Sequence, residues 1–146
     1  MPSVTESVTI AAPVDRVYSF LADNPEGAVT FIPGLNRIES VSPAEARVGQ
    51  TWQYEFNWFG VVFAGQTRCT KLDRPRTYEF QTETGNRSTW TYTLTANGSA
   101  TKLTLIVEYD LPDSMVARFA TKGTLEKMNQ ERAAEALRNL KGLLED

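Results

Sequence analysis

Between Leu35 and Tyr109 the apolar residues of this chain recur every second position, and after Pro112 they recur about every 3.6. That single change of period constrains the fold more than any motif. The first stretch reads as strands, with segments predicted at Arg37–Ser42, Gln50–Trp58, Val61–Leu72, Thr77–Glu83, Ser88–Thr95 and Thr101–Asp110. The second reads as one long helix over Asp113–Leu144, with Gly123 as the place where it bends or restarts. The breaks between strands are short turn sequences (Phe59-Gly60, Asp73-Arg74-Pro75, Thr84-Gly85-Asn86, Asn97-Gly98), so consecutive strands are antiparallel neighbours. A sheet of this kind cannot hide an aromatic face alone. The terminal helix is the obvious cover, and a curved sheet gripping one helix leaves a hollow between them.

The first third supplies the rest of the plan. Val4, Glu6, Val8 and Ile10 share one face of an opening strand. Pro13 suits a first helical position, and Val14, Val17, Tyr18 and Leu21 follow at helical spacing through Asp23. Asn24-Pro25 stops that helix, and a second short helix is predicted over Glu26–Phe31. The expected architecture is α+β: a curved antiparallel sheet of seven strands, two short helices after the first strand and a long last helix. At 146 residues, one domain over 1–146 is expected.

Composition narrows the chemistry. The chain has no His and a single Cys, Cys69, which removes the usual zinc and copper sites, Ser-His-Asp and Cys-His catalysis, and any intrachain disulfide. Neither a phosphate-binding glycine loop nor a calcium loop is present, and no cofactor is expected. Fifteen basic residues are scattered singly in a chain of net charge −3, which argues against nucleic acid. The first ten residues lack a basic start and an apolar core, and no apolar run has the length of a bilayer span. A cytoplasmic protein is therefore expected, without integral membrane contact, as a monomer or homodimer.

The residues that carry binding are those predicted inward: Tyr54, Phe56, Trp58, Phe63, Thr67, Phe80, Trp90, Tyr92 and Tyr109 from the strands, and Phe119 and Met128 from the helix. Two readings stand for them, an ordinary packed core or the wall of an apolar pocket with a few polar points. Glu6 interrupts the apolar face of its strand. It is either a carboxylate looking into the hollow, able to act as general acid or base beside Tyr54, Tyr92 or Tyr109, or a strand-end group in water. Asn129 either offers a hydrogen bond from the helix or faces solvent, and Cys69 reads as a small buried hydrophobe.

The run Val8-Thr9-Ile10-Ala11-Ala12-Pro13-Val14-Asp15-Arg16-Val17-Tyr18-Ser19-Phe20-Leu21-Ala22-Asp23 resembles the opening of the START-like SRPBCC superfamily, the helix-grip group that includes Bet v 1, polyketide cyclase/dehydrase-type proteins and lipid-transfer domains. Ile32-Pro33-Gly34, Gly49, Trp90-x-Tyr92-x-Leu94, Thr101-x-Leu103-Thr104, Asn129 and Leu137-x-x-Leu140-Lys141 agree along nearly the whole chain. The resemblance implies a helix-grip fold with a cavity between sheet and last helix. It has no universal catalytic signature. Three functions stay open: binding of a small hydrophobic or aromatic molecule, lipid-like or polyketide-like; a polyketide cyclase/dehydratase reaction; and docking on a larger enzyme, since Ile32-Pro33-Gly34 is also similar to the CoxG-like accessory branch.

Overall fold

In a computed structural model of the chain, residues 2–116 and 122–145 are described. Strand β1 (Ser3–Ile10) leads into helix α1 (Val14–Ala22) and a 3-10 turn (Pro25–Thr30). Strands β2 (Leu35–Ser42), β3 (Thr51–Trp58), β4 (Val61–Asp73), β5 (Thr77–Thr82), β6 (Ser88–Asn97) and β7 (Ala100–Tyr109) follow. Helices α2 (Asp113–Val116) and α3 (Lys122–Leu144) close the chain. The seven strands form one antiparallel sheet in the order β1-β7-β6-β5-β4-β3-β2. All but the first are chain neighbours, and β1 crosses by way of α1 and the 3-10 turn to lie beside β7.

The sheet forms where alternation and turn chemistry agree. Phe59 and Gly60 both take positive φ, +50° and +95°, in the two-residue loop between β3 and β4. The β6–β7 turn lies one residue further on than the sequence predicts. Asn97 still pairs with Ala100, and Gly98 (φ +63°) and Ser99 make the bend. Ladder pairing carries both strands past the polar residues at which propensity would have ended them. Register shifts in β2, and in β4 between Cys69 and Lys71, add the local twist that curls the sheet.

Two helical expectations change in detail. The second helix is a 3-10 turn opened by Pro25, and Pro13 stands in extended conformation just before α1 instead of inside it. The long terminal helix is described as α2 and α3. Residues 117–121 lie outside the described residues, and α3 starts at Lys122, beside Gly123.

The last helix packs along β1 on the inner face of the sheet. Leu125, Leu137, Leu140 and Leu144 are buried there, each worth roughly 1.5–3 kcal/mol against exposure. Polar contacts fix its far end. Lys141 Nζ donates to the Thr9 carbonyl at 2.7 Å, the Ala11 amide donates to Glu145 Oε2 at 2.7 Å, and Asn139 Nδ2 donates to the Phe31 carbonyl at 3.1 Å. Between Asn129 and Ala136 the face of α3 turns toward a hollow.

Candidate ligand-binding site

Cross-strand register builds the site. Phe80 pairs with Trp90 and Tyr78 with Tyr92 across β5 and β6, while Trp52 faces Thr67 and Phe56 faces Phe63 across β3 and β4. Side chains on one face of paired strands stand close enough to stack. Phe80 and Trp90 do so at 5.9 Å between ring centroids, Tyr78 and Tyr92 at 6.3 Å, and Trp52 meets Phe80 edge-on at 5.5 Å. A β-carbon at Gly65, opposite Tyr54 in the ladder, would overlap the Thr84 carbonyl, so glycine lets the 83–86 turn fold back against the sheet.

These rings surround a cavity of about 160 Å³. An engineered apolar cavity of roughly 150 Å³ holds benzene, so one substituted ring is the scale that fits. Tyr54, Phe56, Trp58, Phe63, Thr67, Phe80, Trp90, Tyr92 and Tyr109 all line it, as the alternation predicts. All three tryptophans of the chain are in the wall. Phe119 lies outside the described residues. Met128 is not in the wall but in a shallow outer groove with Phe59, Glu131, Arg132, Glu135 and Arg138. The reason is helical geometry. The cavity face of α3 is Asn129, Arg132, Ala133 and Ala136, spaced i, i+3, i+4 and i+7, and Met128 is rotated about 100° from Asn129.

The near wall comes from elements that the strand pattern did not flag. Phe20 and Leu21 of α1, Asn24, Pro25 and Ala28 at the 3-10 turn, and Phe31, Ile32 and Pro33 after it close one side. The 3-10 turn and the residues just after it thus border the cavity, whereas Gly123 does not line it. Arg132 lies where the cavity meets the outer groove, with its guanidinium 4.5 Å above the Phe59 ring. It is the only charged side chain in the wall among the described residues.

Several polar groups of the wall spend their donors inside the protein. The Tyr54 hydroxyl donates to the Thr84 carbonyl at 2.7 Å, Trp90 Nε1 to Ser88 Oγ at 3.1 Å and Asn86 Nδ2 to the Asp110 carbonyl at 3.1 Å. Trp58 Nε1 donates to Asn129 Oδ1 at 2.8 Å, and Asn129 Nδ2 donates to the Tyr109 hydroxyl oxygen at 2.9 Å. Asn129 thus neither faces open solvent nor stands free. It ties helix to sheet. Tyr78, 1% exposed, has a buried hydroxyl with no hydrogen-bond partner.

Burial raises the proton affinity of every phenol in the wall: Tyr54, Tyr78, Tyr92 and Tyr109 are all held above the ordinary tyrosine value. Burial also pushes the Cys69 thiol up, which keeps it protonated and inert. No Asp or Glu lines the cavity among the described residues, and none occurs in the sequence from 116 to 122. Glu6 is half-buried on β1, opposite Leu105 in the ladder and outside the wall; Val4, two residues earlier, is the part of β1 that reaches it. The geometry offers apolar contact, ring stacking and hydrogen-bond donation, but no carboxylate to move a proton.

A family model described as polyketide cyclase/dehydrase and lipid transport matches residues 1–145. No curated protein matches the sequence. Among solved structures, TTHA0849 from Thermus thermophilus is 23% identical, with a TM-score of 0.76 over 97% of this chain and 95% of that one. A START superfamily protein from Mycobacterium smegmatis is 14% identical, with a TM-score of 0.76 over 98% and 97% of the two chains. The Zhui aromatase/cyclase from Streptomyces sp. R1128 is 22% identical, with a TM-score of 0.75 over 99% and 93%. At these identities the structures establish the helix-grip fold, and the family model does the rest: the chain belongs to the polyketide cyclase/dehydrase and lipid transport family.

Proposed function

We propose that this chain is a binding protein for a compact hydrophobic or aromatic molecule, held between the sheet and α3 in one domain. The observation that carries the reading is the wall itself: a cavity of about 160 Å³ whose lining is aromatic and aliphatic, with a few polar groups. Removing water from a ring and from that wall contributes about 25 cal/mol per Å² of apolar surface before the entropy of association is subtracted. For a ligand of eight or nine heavy atoms this corresponds to a Kd on the order of 0.1–1 mM.

Binding is favoured over a cyclase or dehydratase reaction because such proton transfers need a positioned acid or base, and Glu6 does not reach the cavity. The test uses the tryptophans. Because Trp52, Trp58 and Trp90 are all in the wall, ethylbenzene added to the purified protein should change the intrinsic fluorescence saturably. Native mass spectrometry of the protein as purified should also find an apolar guest displaced by it. No fluorescence change up to the solubility limit of ethylbenzene, together with no captured guest, would refute the reading.

A further inference from the structure

The direction of the hydrogen bonds between α3 and the sheet says what kind of atom the ligand carries. An indole nitrogen can only donate. Trp58 Nε1 therefore fixes Asn129 with its oxygen toward the indole, and the amide nitrogen is left facing Tyr109 at 2.9 Å. That nitrogen also only donates, so the Tyr109 oxygen must accept. The phenol proton cannot point back at the amide, and no acceptor among the described residues takes it. Tyr109 is 5% exposed and lines the cavity, so the proton is offered to the cavity. A buried hydroxyl left unpaired is costly, and a ligand oxygen would remove that cost.

We infer that Tyr109, oriented by Trp58 through Asn129, is the specificity-determining hydrogen-bond donor of the cavity, and that the ligand is a ring-sized molecule carrying an acceptor oxygen such as a ketone carbonyl. This rests on the binding function proposed above and adds the polarity of the ligand to it. Asn129 acts as the positioning residue: it sets which way the phenol proton points.

The test compares acetophenone with α-methylstyrene, which have the same shape and differ only in C=O against C=CH2. The ratio of their affinities isolates the carbonyl. In Tyr109→Phe the ratio should fall roughly five- to tenfold against acetophenone, while α-methylstyrene binds as it does to the parent protein. Asn129→Asp keeps the hydroxyl but reverses the chain: one carboxylate oxygen accepts from Trp58 and the other takes the Tyr109 proton. The same loss of ratio is expected there, although no hydroxyl has been removed, and a merely structural role for Asn129 would not produce it. Retained α-methylstyrene binding shows that each variant keeps an intact cavity. An unchanged ratio in both variants overturns the inference and leaves the binding function standing. Failure of the parent protein to bind either compound overturns the binding function and this inference with it.

Discussion

Gly85 lies so close to the Tyr54 hydroxyl that a β-carbon on it would overlap that oxygen. The glycine also holds φ +82°, a conformation that side-chain-bearing residues rarely take. The contact has a purpose in the wall: the 83–86 turn folds back against β4 at Ala64 and Gly65, and the Thr84 carbonyl beside the glycine accepts the Tyr54 proton at 2.7 Å. Gly85→Ala must displace either the turn or the ring. The expected cost is about 2–3 kcal/mol, from the left-handed backbone and the overpacking together. It is read as a lower urea midpoint with an unchanged m value, accompanied by an altered near-ultraviolet tyrosine signal.

Removing the Asn129 amide leaves the Trp58 indole N–H without its acceptor while the ring stays against Tyr109, edge to face at 5.4 Å. Asn129→Leu should therefore cost about 1–3 kcal/mol despite being a polar-to-apolar change on a helix. Chemical denaturation checks it. A stability gain would show that the bridge between helix and sheet contributes nothing.

All five tyrosines share one pH dependence. Burial lifts Tyr18 to about 12 and raises Tyr54, Tyr78, Tyr92 and Tyr109 above 10.0 as well. In the unfolded chain the phenols lose protons near pH 10. Above that pH the unfolded state binds fewer protons than the folded one, so the stability these groups contribute is full below about pH 10 and is lost as pH rises. Phenolate absorbance should accordingly appear late and together with unfolding, as one cooperative alkaline transition. Stepwise ionisation in a protein that stays folded would contradict the burial.

The pair Asp23–Arg74 gives the opposite sign. Hydrogen bonding to Arg74, one arm of it 3.0 Å long, holds the Asp23 carboxyl below its ordinary 3.8. As pH falls, the unfolded chain takes up the proton first, so the contribution is present above about pH 4 and disappears below it. Both side chains are more than 40% exposed, which limits the effect. Asp23→Asn should cost less than about 1 kcal/mol at neutral pH and nothing near pH 2. Stability curves of the two proteins at the two pH values test this.

The sheet half of the site was legible because strand alternation reports facing directly. Trp52, Tyr54, Phe56 and Trp58 on one side of β3 all line the cavity, as the period of two requires. The helix half was not legible, and the reason is physical. A cavity exists where side chains are small, so its face on α3 is Ala133 and Ala136 flanked by Asn129 and Arg132, while the most apolar stripe, Leu137, Leu140 and Leu144, packs solidly. Hydrophobic periodicity finds the packed face and selects Met128, which sits on neither. Phe20 and Phe31, 6.2 Å apart between ring centroids, entered the wall only through the way α1 and the 3-10 turn dock, a tertiary fact that no local pattern carries. Glu6 breaks the alternation of β1, yet β1 reaches the cavity at Val4.

The most direct test of the account is a 1H–15N correlation NMR titration with ethylbenzene, on the parent protein and on Ala136→Leu, which puts a larger side chain into the cavity from α3. The account predicts saturable shifts at residues of β3 to β7 and of α3 around Asn129–Ala136 in the parent protein, and none in a variant that remains folded. Shifts confined to the outer surface, or binding undiminished by the leucine, would contradict it.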